Sequence, residues 1–144
     1  NDINILPSTS KIINMHILEV LGRIFISFLF LVEAVRKFLD PDMSMLYMSD
    51  HNVPEFLFYP SLAFELIFSL LLIAGFKTKI VASLLALFVL TVTLIFHSHH
   101  IFDEGMQLTI FLKNFAILGG LLIIIANQPQ ICSIDYYLKN KKGN

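Results

Sequence analysis

Ionisable side chains interrupt the long apolar runs of this chain, and two of them could transfer protons. Glu65 lies inside the apolar run of residues 56–76, and His97 closes the next run. A carboxylate and an imidazole can each take up and release a proton, which is the chemistry of general acid–base catalysis. An ionisable group at membrane depth costs about 2.5–3.5 kcal/mol on insertion scales and often marks a functional site. We therefore predict Glu65 and His97 as catalytic residues.

Four further residues within apolar runs are predicted to bind a ligand: Arg23, Glu33, Lys113 and Asn114. Their charged and amide groups can hydrogen-bond to the carbonyl or hydroxyl oxygens of a small polar-headed molecule such as a quinone. Glu33 precedes Lys37 by four residues, so these two are expected to pair along one helix. An equally supported interpretation is that all these charges neutralise one another and fix the helix register, as ion pairs within membranes do.

A metal or haem site is not predicted. A divalent cation could bind to a set of His and acidic residues, but the set has no fixed ligand geometry, and a solvated loop at the membrane surface is favoured. The set is His97, His99 and His100 with Asp103, Glu104 and His51. His16 and His97 belong to opposite ends of their helices, so they are not expected to share a haem. The single cysteine, Cys132, excludes an intrachain disulfide and a cysteine-based zinc site.

The composition indicates a membrane protein. Of the 144 residues, 56% are hydrophobic and 15% are charged, and the formal net charge is −1. A soluble domain of this size could not bury so much apolar surface in one core. The basic residues are not clustered, so nucleic acid is not an expected partner. The lipid bilayer is the expected surrounding.

Four apolar segments are long enough to cross a hydrocarbon core of roughly 30 Å, at about residues 13–38, 56–76, 80–97 and 107–126. Because they are continuous rather than alternating, helices are favoured over strands. The first segment contains charges and has no small-x-small cleavage pattern, so we expect a retained helix rather than a signal peptide. A short interfacial helix is expected around Met43 to Met48, and residues 127–144 are expected to form a polar tail.

The basic residues predict the orientation. They concentrate near the N-terminus, between the second and third segments and in the tail, so the positive-inside rule places both termini in the cytoplasm. We predict an all-α, integral membrane four-helix bundle, a single domain over residues 1–144, multi-pass in the inner (cytoplasmic) membrane. Glu33, Glu65, His97, Lys113 and Asn114 then fall in its outer half and predict a polar pocket that opens outward.

The chain resembles the DoxX family of small bacterial four-helix membrane proteins over residues 21–135. The motifs that carry the resemblance are Leu21-Gly22-Arg23, Lys37-Phe38, Glu65 followed by Leu71-Leu72-Ile73-Ala74-Gly75-Phe76 and Lys77-Thr78-Lys79, His97, Phe111-Leu112-Lys113-Asn114-Phe115-Ala116-Ile117-Leu118-Gly119-Gly120-Leu121-Leu122, and Ser133-Ile134-Asp135. Family members commonly have a small residue near Glu33, so the carboxylate there departs from the pattern.

The resemblance implies a link to redox chemistry. The family is named after a subunit of a thiosulfate:quinone oxidoreductase, and other members are linked to membrane oxidoreductase complexes and oxidative-stress responses. The leading hypothesis is a small membrane subunit of a quinone-linked oxidoreductase or respiratory-type complex. It would have no intrinsic cofactor, with quinone as candidate ligand and electrons supplied by a partner. Whether the chain is itself an enzyme stays open.

Two alternatives remain. The chain could be a non-catalytic accessory or assembly subunit of a larger membrane complex, or of a homo-oligomer, in which the charges only set the packing. It could also be a small-solute carrier, although four helices without paired broken helices argue against a carrier built from one copy.

Overall fold

A computed structural model describes residues 9–97, 105–127 and 133–142, and this part of the chain is helical without strands. The helices are α1 (Thr9–Leu39), α2 (Pro41–Asp50), α3 (Phe58–Ala74), α4 (Thr78–His97), α5 (Gly105–Ala126) and α6 (Ile134–Lys142), with a 3-10 turn at Glu55–Leu57 before α3. The all-α prediction is confirmed. The long helices α1, α3, α4 and α5 cover the four apolar segments, and α2 contains the short helix expected around Met43 to Met48.

Three helices of the described residues are long and apolar enough to cross a membrane: Glu55–Ala74, Thr78–His97 and Gln107–Ala126. Helix α1 is not among them. Its 31 residues include six charged residues, namely Lys11, Glu19, Arg23, Glu33, Arg36 and Lys37.

Local sequence explains how the helices begin and end. The Asp40 carboxylate accepts a hydrogen bond from the Met43 amide at 3.3 Å, and Pro41 occupies the first position of α2, where its missing N–H costs nothing. Helix α3 ends at Gly75, whose φ of 67° is left-handed. The Phe76 amide then donates to the Leu71 carbonyl, as in a Schellman ending.

The long helices pack in the order α1, α3, α4, α5. The most extensive contacts join α1 to α3 and α4 to α5, and fewer contacts join α3 to α4 and α1 to α5. The apolar core includes Leu72 of α3, Leu85 of α4 and Leu121 of α5, all fully buried. Many large apolar side chains instead face outward, among them Phe25, Phe28, Ile67, Leu87 and Ile123. An apolar exterior around an apolar core is what a lipid surrounding requires.

The C-terminal segment is more ordered than the predicted polar tail. Residues 134–142 form α6, and Asp135 at its start binds the beginning of α4. Its carboxylate accepts hydrogen bonds from the Lys77 amide (2.6 Å), the Thr78 amide (2.7 Å) and the Thr78 hydroxyl (2.8 Å). Helix N-termini have unsatisfied N–H groups and a partial positive charge, so a carboxylate from a distant segment can cap them.

Candidate functional site

A buried ion pair joins α1 to α3. The Lys37 ammonium contacts Oε1 of Glu65, and the Glu65 side chain is only 3% exposed. Glu65 lies seven residues into α3, about 10 Å along the helix axis from its first residue. A carboxylate at this depth needs a cation partner, and Lys37 supplies it from the neighbouring helix.

The predicted pairing of Glu33 with Lys37 is wrong. Glu33 contacts Arg36 at 3.2 Å on its own helix and Lys113 of α5 at 3.6 Å. Lys37 contacts Glu65 instead. Leaving the buried Glu65 carboxylate unpaired would cost more free energy than leaving the half-buried Glu33 without Lys37, because Glu33 has two other cations nearby. Charges from three helices therefore lie at one end of the bundle. We call them the outer charge cluster, after the orientation predicted from the sequence: Glu33, Arg36 and Lys37 of α1, Glu65 of α3 and Lys113 of α5.

The outer charge cluster has capacity left for hydrogen bonds. Oε2 of Glu65 is buried and has no hydrogen-bond partner among the described residues. The Lys113 ammonium stands 3.6 Å from Glu33, which is longer than a hydrogen bond, and its side chain is 41% exposed. One acceptor and one cationic donor are thus available to a third group, such as the hydroxyl or carbonyl of a small molecule.

A second polar group links α4 to α5. The Asn114 amide donates to the Thr93 hydroxyl at 3.0 Å, and that hydroxyl donates to the Val89 carbonyl at 2.6 Å. Near the end of α4, Nδ1 of His97 donates to the amide oxygen of Gln107 at 2.9 Å. His97 is therefore bonded to Gln107 rather than to Glu65, and the structure does not bring the two predicted catalytic residues into one hydrogen-bonded pair.

Helix α2 covers the end of α4 beside His97. The Tyr47 ring stacks on Phe96 with centroids 5.4 Å apart, and the His51 ring lies 5.1 Å from the same phenyl ring. Nδ1 of His51 also bonds the Tyr47 carbonyl at 2.8 Å. Within the described residues no three His, Cys, Asp or Glu side chains are grouped to hold a metal. His99, His100, Asp103 and Glu104 lie outside those residues.

Arg23 lies apart from the outer charge cluster. It is fully buried, and its guanidinium stands against Gly75, at the turn between α3 and α4, next to Ser133. A Cβ atom at Gly75 would overlap both neighbours. Arg23 therefore belongs to the opposite end of the bundle, and the structure does not place it with Glu33 and Lys113.

Sequence reasoning missed several residues of these groups. The spacing along α1 pairs Lys37 with Glu33, and nothing in the sequence signals Thr93 or Gln107, because isolated polar residues in apolar helices give no pattern. Asp135 is predicted only as part of the polar tail and of a family motif. The sequence does indicate the depth of each polar residue, measured along its helix. This depth is similar for Glu33, Glu65 and Lys113.

The profile of the DoxX family matches residues 18–98 of the chain. The chain is also similar to the inner membrane protein YqjF of Escherichia coli (strain K12), with 31% identity over 122 residues, covering 85% of this chain and 92% of that protein. No solved structure matches the chain significantly.

Proposed function

Because this chain belongs to the DoxX family of membrane proteins, we propose that it is a small subunit of a quinone-linked oxidoreductase complex of the inner membrane. In this proposal its outer charge cluster holds a quinone-type head group. A partner subunit would carry the electrons, since the sequence has no redox-cofactor motif.

Helix α1 is proposed as a fourth membrane helix beside α3, α4 and α5. At 31 residues it is about 46 Å long, more than the roughly 30 Å of a hydrocarbon core. Arg23 is fully buried and Lys37 pairs with Glu65, so these charges face other helices. The exposed face carries Phe25, Phe28 and Val32, which suits lipid.

The charge distribution supports cytoplasmic termini. Exposed basic residues of the α3–α4 turn and of α6 lie at one end of the bundle, where Asp135 joins them: Lys77, Lys79, Lys139 and Lys141. Exposed acidic residues lie at the other end, on and around α2: Asp40, Asp42, Asp50 and Glu55. The positive-inside rule places the basic end in the cytoplasm. The inner membrane named for the relative YqjF is the compartment that fits.

The observation that carries the proposed ligand is the half-satisfied carboxylate of Glu65. Lys37 binds one of its oxygens and the other has no partner among the described residues. A hydroquinone hydroxyl could donate to that oxygen, and the Lys113 ammonium could donate to the oxygen on the far side of the ring. Glu33, Glu65 and Lys113 lie about 9–12 Å from the outer ends of their helices, a depth that an isoprenoid head group can reach from the lipid.

The test is the quinone content of protein purified from native membranes in mild detergent. Glu65→Gln keeps the shape of the side chain but removes its charge. A hydrogen bond to a charged group contributes about 1.5–3 kcal/mol, so we expect quinone binding to weaken about tenfold to a hundredfold. Glu55→Gln makes the same change at an exposed site before α3 and serves as the control. If Glu65→Gln retains as much quinone per folded chain as Glu55→Gln, the ligand proposal is wrong.

A second function, that of an accessory subunit, is favoured by a different observation. The charges of the outer cluster contact one another across three helices, as a purely structural network would. It predicts that Glu65→Gln lowers the amount of assembled complex while the turnover per complex is unchanged. Native mass spectrometry of the extracted complex, combined with its activity, separates the two functions.

A further inference from the structure

Buried polar residues follow one another along the contact between α1 and α3. Two contacts fix the antiparallel alignment of these helices: Lys37 meets Glu65 near one end, and Arg23 meets Gly75 near the other. Ser27 of α1 and Ser69 of α3 lie between those contacts, and both are fully buried. We call Glu65, Ser69, Ser27 and Arg23 the polar seam. Its neighbours along each helix are one turn apart, about 6 Å.

The Ser27 hydroxyl is oriented differently from other helical hydroxyls of this chain. Ser69 donates to the Leu66 carbonyl at 2.9 Å, and Ser61, Ser83, Thr91 and Thr93 also donate to carbonyls of their own helices. Ser27 could do the same with the carbonyl one turn earlier, which is the usual bond of a serine inside a helix. Its Oγ instead has no hydrogen-bond partner among the described residues.

A second orphaned atom lies in the same seam. Oε2 of Glu65 is buried and without a hydrogen-bond partner in the described part of the chain. Leaving a buried polar group without a hydrogen bond is unfavourable, and more so when the group is charged. The polar seam therefore contains two such atoms, one on each of two facing helices. Proteins hold internal water at buried polar groups of this kind, and each water molecule makes about three hydrogen bonds.

We propose that the polar seam binds water between Ser27 and Glu65, and that this water exchanges protons with the Glu65 carboxylate. Water and hydroxyl groups transfer protons along a hydrogen-bonded chain, and carboxylates and histidines within membranes commonly form such relays. Glu19 and His16 lie one and two turns closer to the N-terminus of α1 than Arg23, and both are partly buried. Nδ1 of His16 is buried without a hydrogen-bond partner among the described residues.

Only the role of this water in proton transfer rests on the proposed function; its presence does not. A ligand hydroxyl that donates to Oε2 of Glu65 would pass its proton to that oxygen, and the proton would leave through the seam. The water itself depends on Ser27 and Glu65, so it is expected in protein from which quinone has been removed. Quinone content and seam hydration can therefore fail independently.

X-ray radiolytic footprinting of the quinone-free protein tests the hydration. Hydroxyl radicals formed from bound water oxidise adjacent side chains even where bulk solvent is absent. Phe30 and Leu72 lie one turn beyond Ser27 and Ser69 and are 4% and 0% exposed. All three residues belong to the apolar core, but Leu85 is on α4, outside the contact between α1 and α3, and serves as the internal control. After each rate is divided by the intrinsic reactivity of that side chain toward hydroxyl radical, we expect Phe30 and Leu72 to be oxidised several times faster than Leu85. Equal rates would overturn the proposal.

A variant pair assigns the water to Ser27. Ser27→Val replaces the hydroxyl with a methyl group and adds a second methyl group, which removes the polar atom and fills space beside it. We expect the normalised oxidation of Phe30 and Leu72 to fall to that of Leu85. Ser83→Val is the control, because that hydroxyl is exposed and bonded to the Lys79 carbonyl. Oxidation that persists unchanged in Ser27→Val would also overturn the proposal. The wild-type comparison remains decisive if Ser27→Val does not fold.

Discussion

The ion pair between Lys37 and Glu65 gives the sharpest stability prediction. Lys37→Met preserves the length and apolar stem of the side chain but leaves the Glu65 carboxylate buried without its cation. Removing one partner of a buried pair typically costs about 3–5 kcal/mol. Glu65 is almost fully buried, whereas Lys37 is 28% exposed, so partial hydration moderates the loss. We expect a cost near the lower limit, about 3 kcal/mol.

Equilibrium unfolding in mixed detergent micelles, followed by circular dichroism, measures this cost. Arg36→Met is the matched control, because it removes the neighbouring cation, whose side chain is 78% exposed and pairs with Glu33. Exposed pairs contribute about 0–1 kcal/mol, so this variant should unfold close to the wild type.

A double variant separates the lost pairing from lost packing. In Lys37→Met with Glu65→Gln neither member of the ion pair is charged, so we expect most of the stability to return, with a coupling free energy of about 2 kcal/mol or more. The reasoning is refuted if Lys37→Met costs no more than Arg36→Met. It is also refuted if the double variant is as unstable as Lys37→Met alone.

Three further predictions concern contacts elsewhere in the bundle. Asp135→Asn weakens the cap of α4, and we expect a loss of about 1 kcal/mol in the same unfolding assay, against almost none for the exposed Asp42→Asn. Gly75→Ala should cost more than 1 kcal/mol, because φ is positive and the new Cβ meets Arg23 and Ser133, whereas Gly22→Ala has open space and should unfold no earlier than the wild type. Thr93→Val removes the acceptor of Asn114 and should cost about 0.6 kcal/mol, a typical value for a hydrogen bond between membrane helices, and the exposed Thr91→Val should cost less. An equal cost in variant and control would contradict each of them.

The helices and the membrane class could be read from the sequence. Apolar runs of this length have few stable structures other than membrane helices, so their approximate bounds follow from composition alone. The turn at Gly75 and Lys77 requires α3 and α4 to be antiparallel neighbours, and α2 is signalled by Asp40 and Pro41. Family membership could also be predicted, since the motifs that resemble the DoxX family occur in the order and spacing typical of that family.

The partner of each buried polar residue was decided by the tertiary structure. Pairing between helices depends on the rotation of each helix about its axis, and a helix that is apolar on every side carries almost no record of that rotation in its sequence. This is why the sequence predicts that Lys37 pairs with Glu33 of the same helix, although Lys37 contacts Glu65 of α3. Likewise Asp135 caps α4 only because the fold brings residues 57 positions apart into contact. In this protein the sequence determines the depth along its helix at which each polar residue lies, whereas helix rotation and register decide which of them are buried and what each of them contacts.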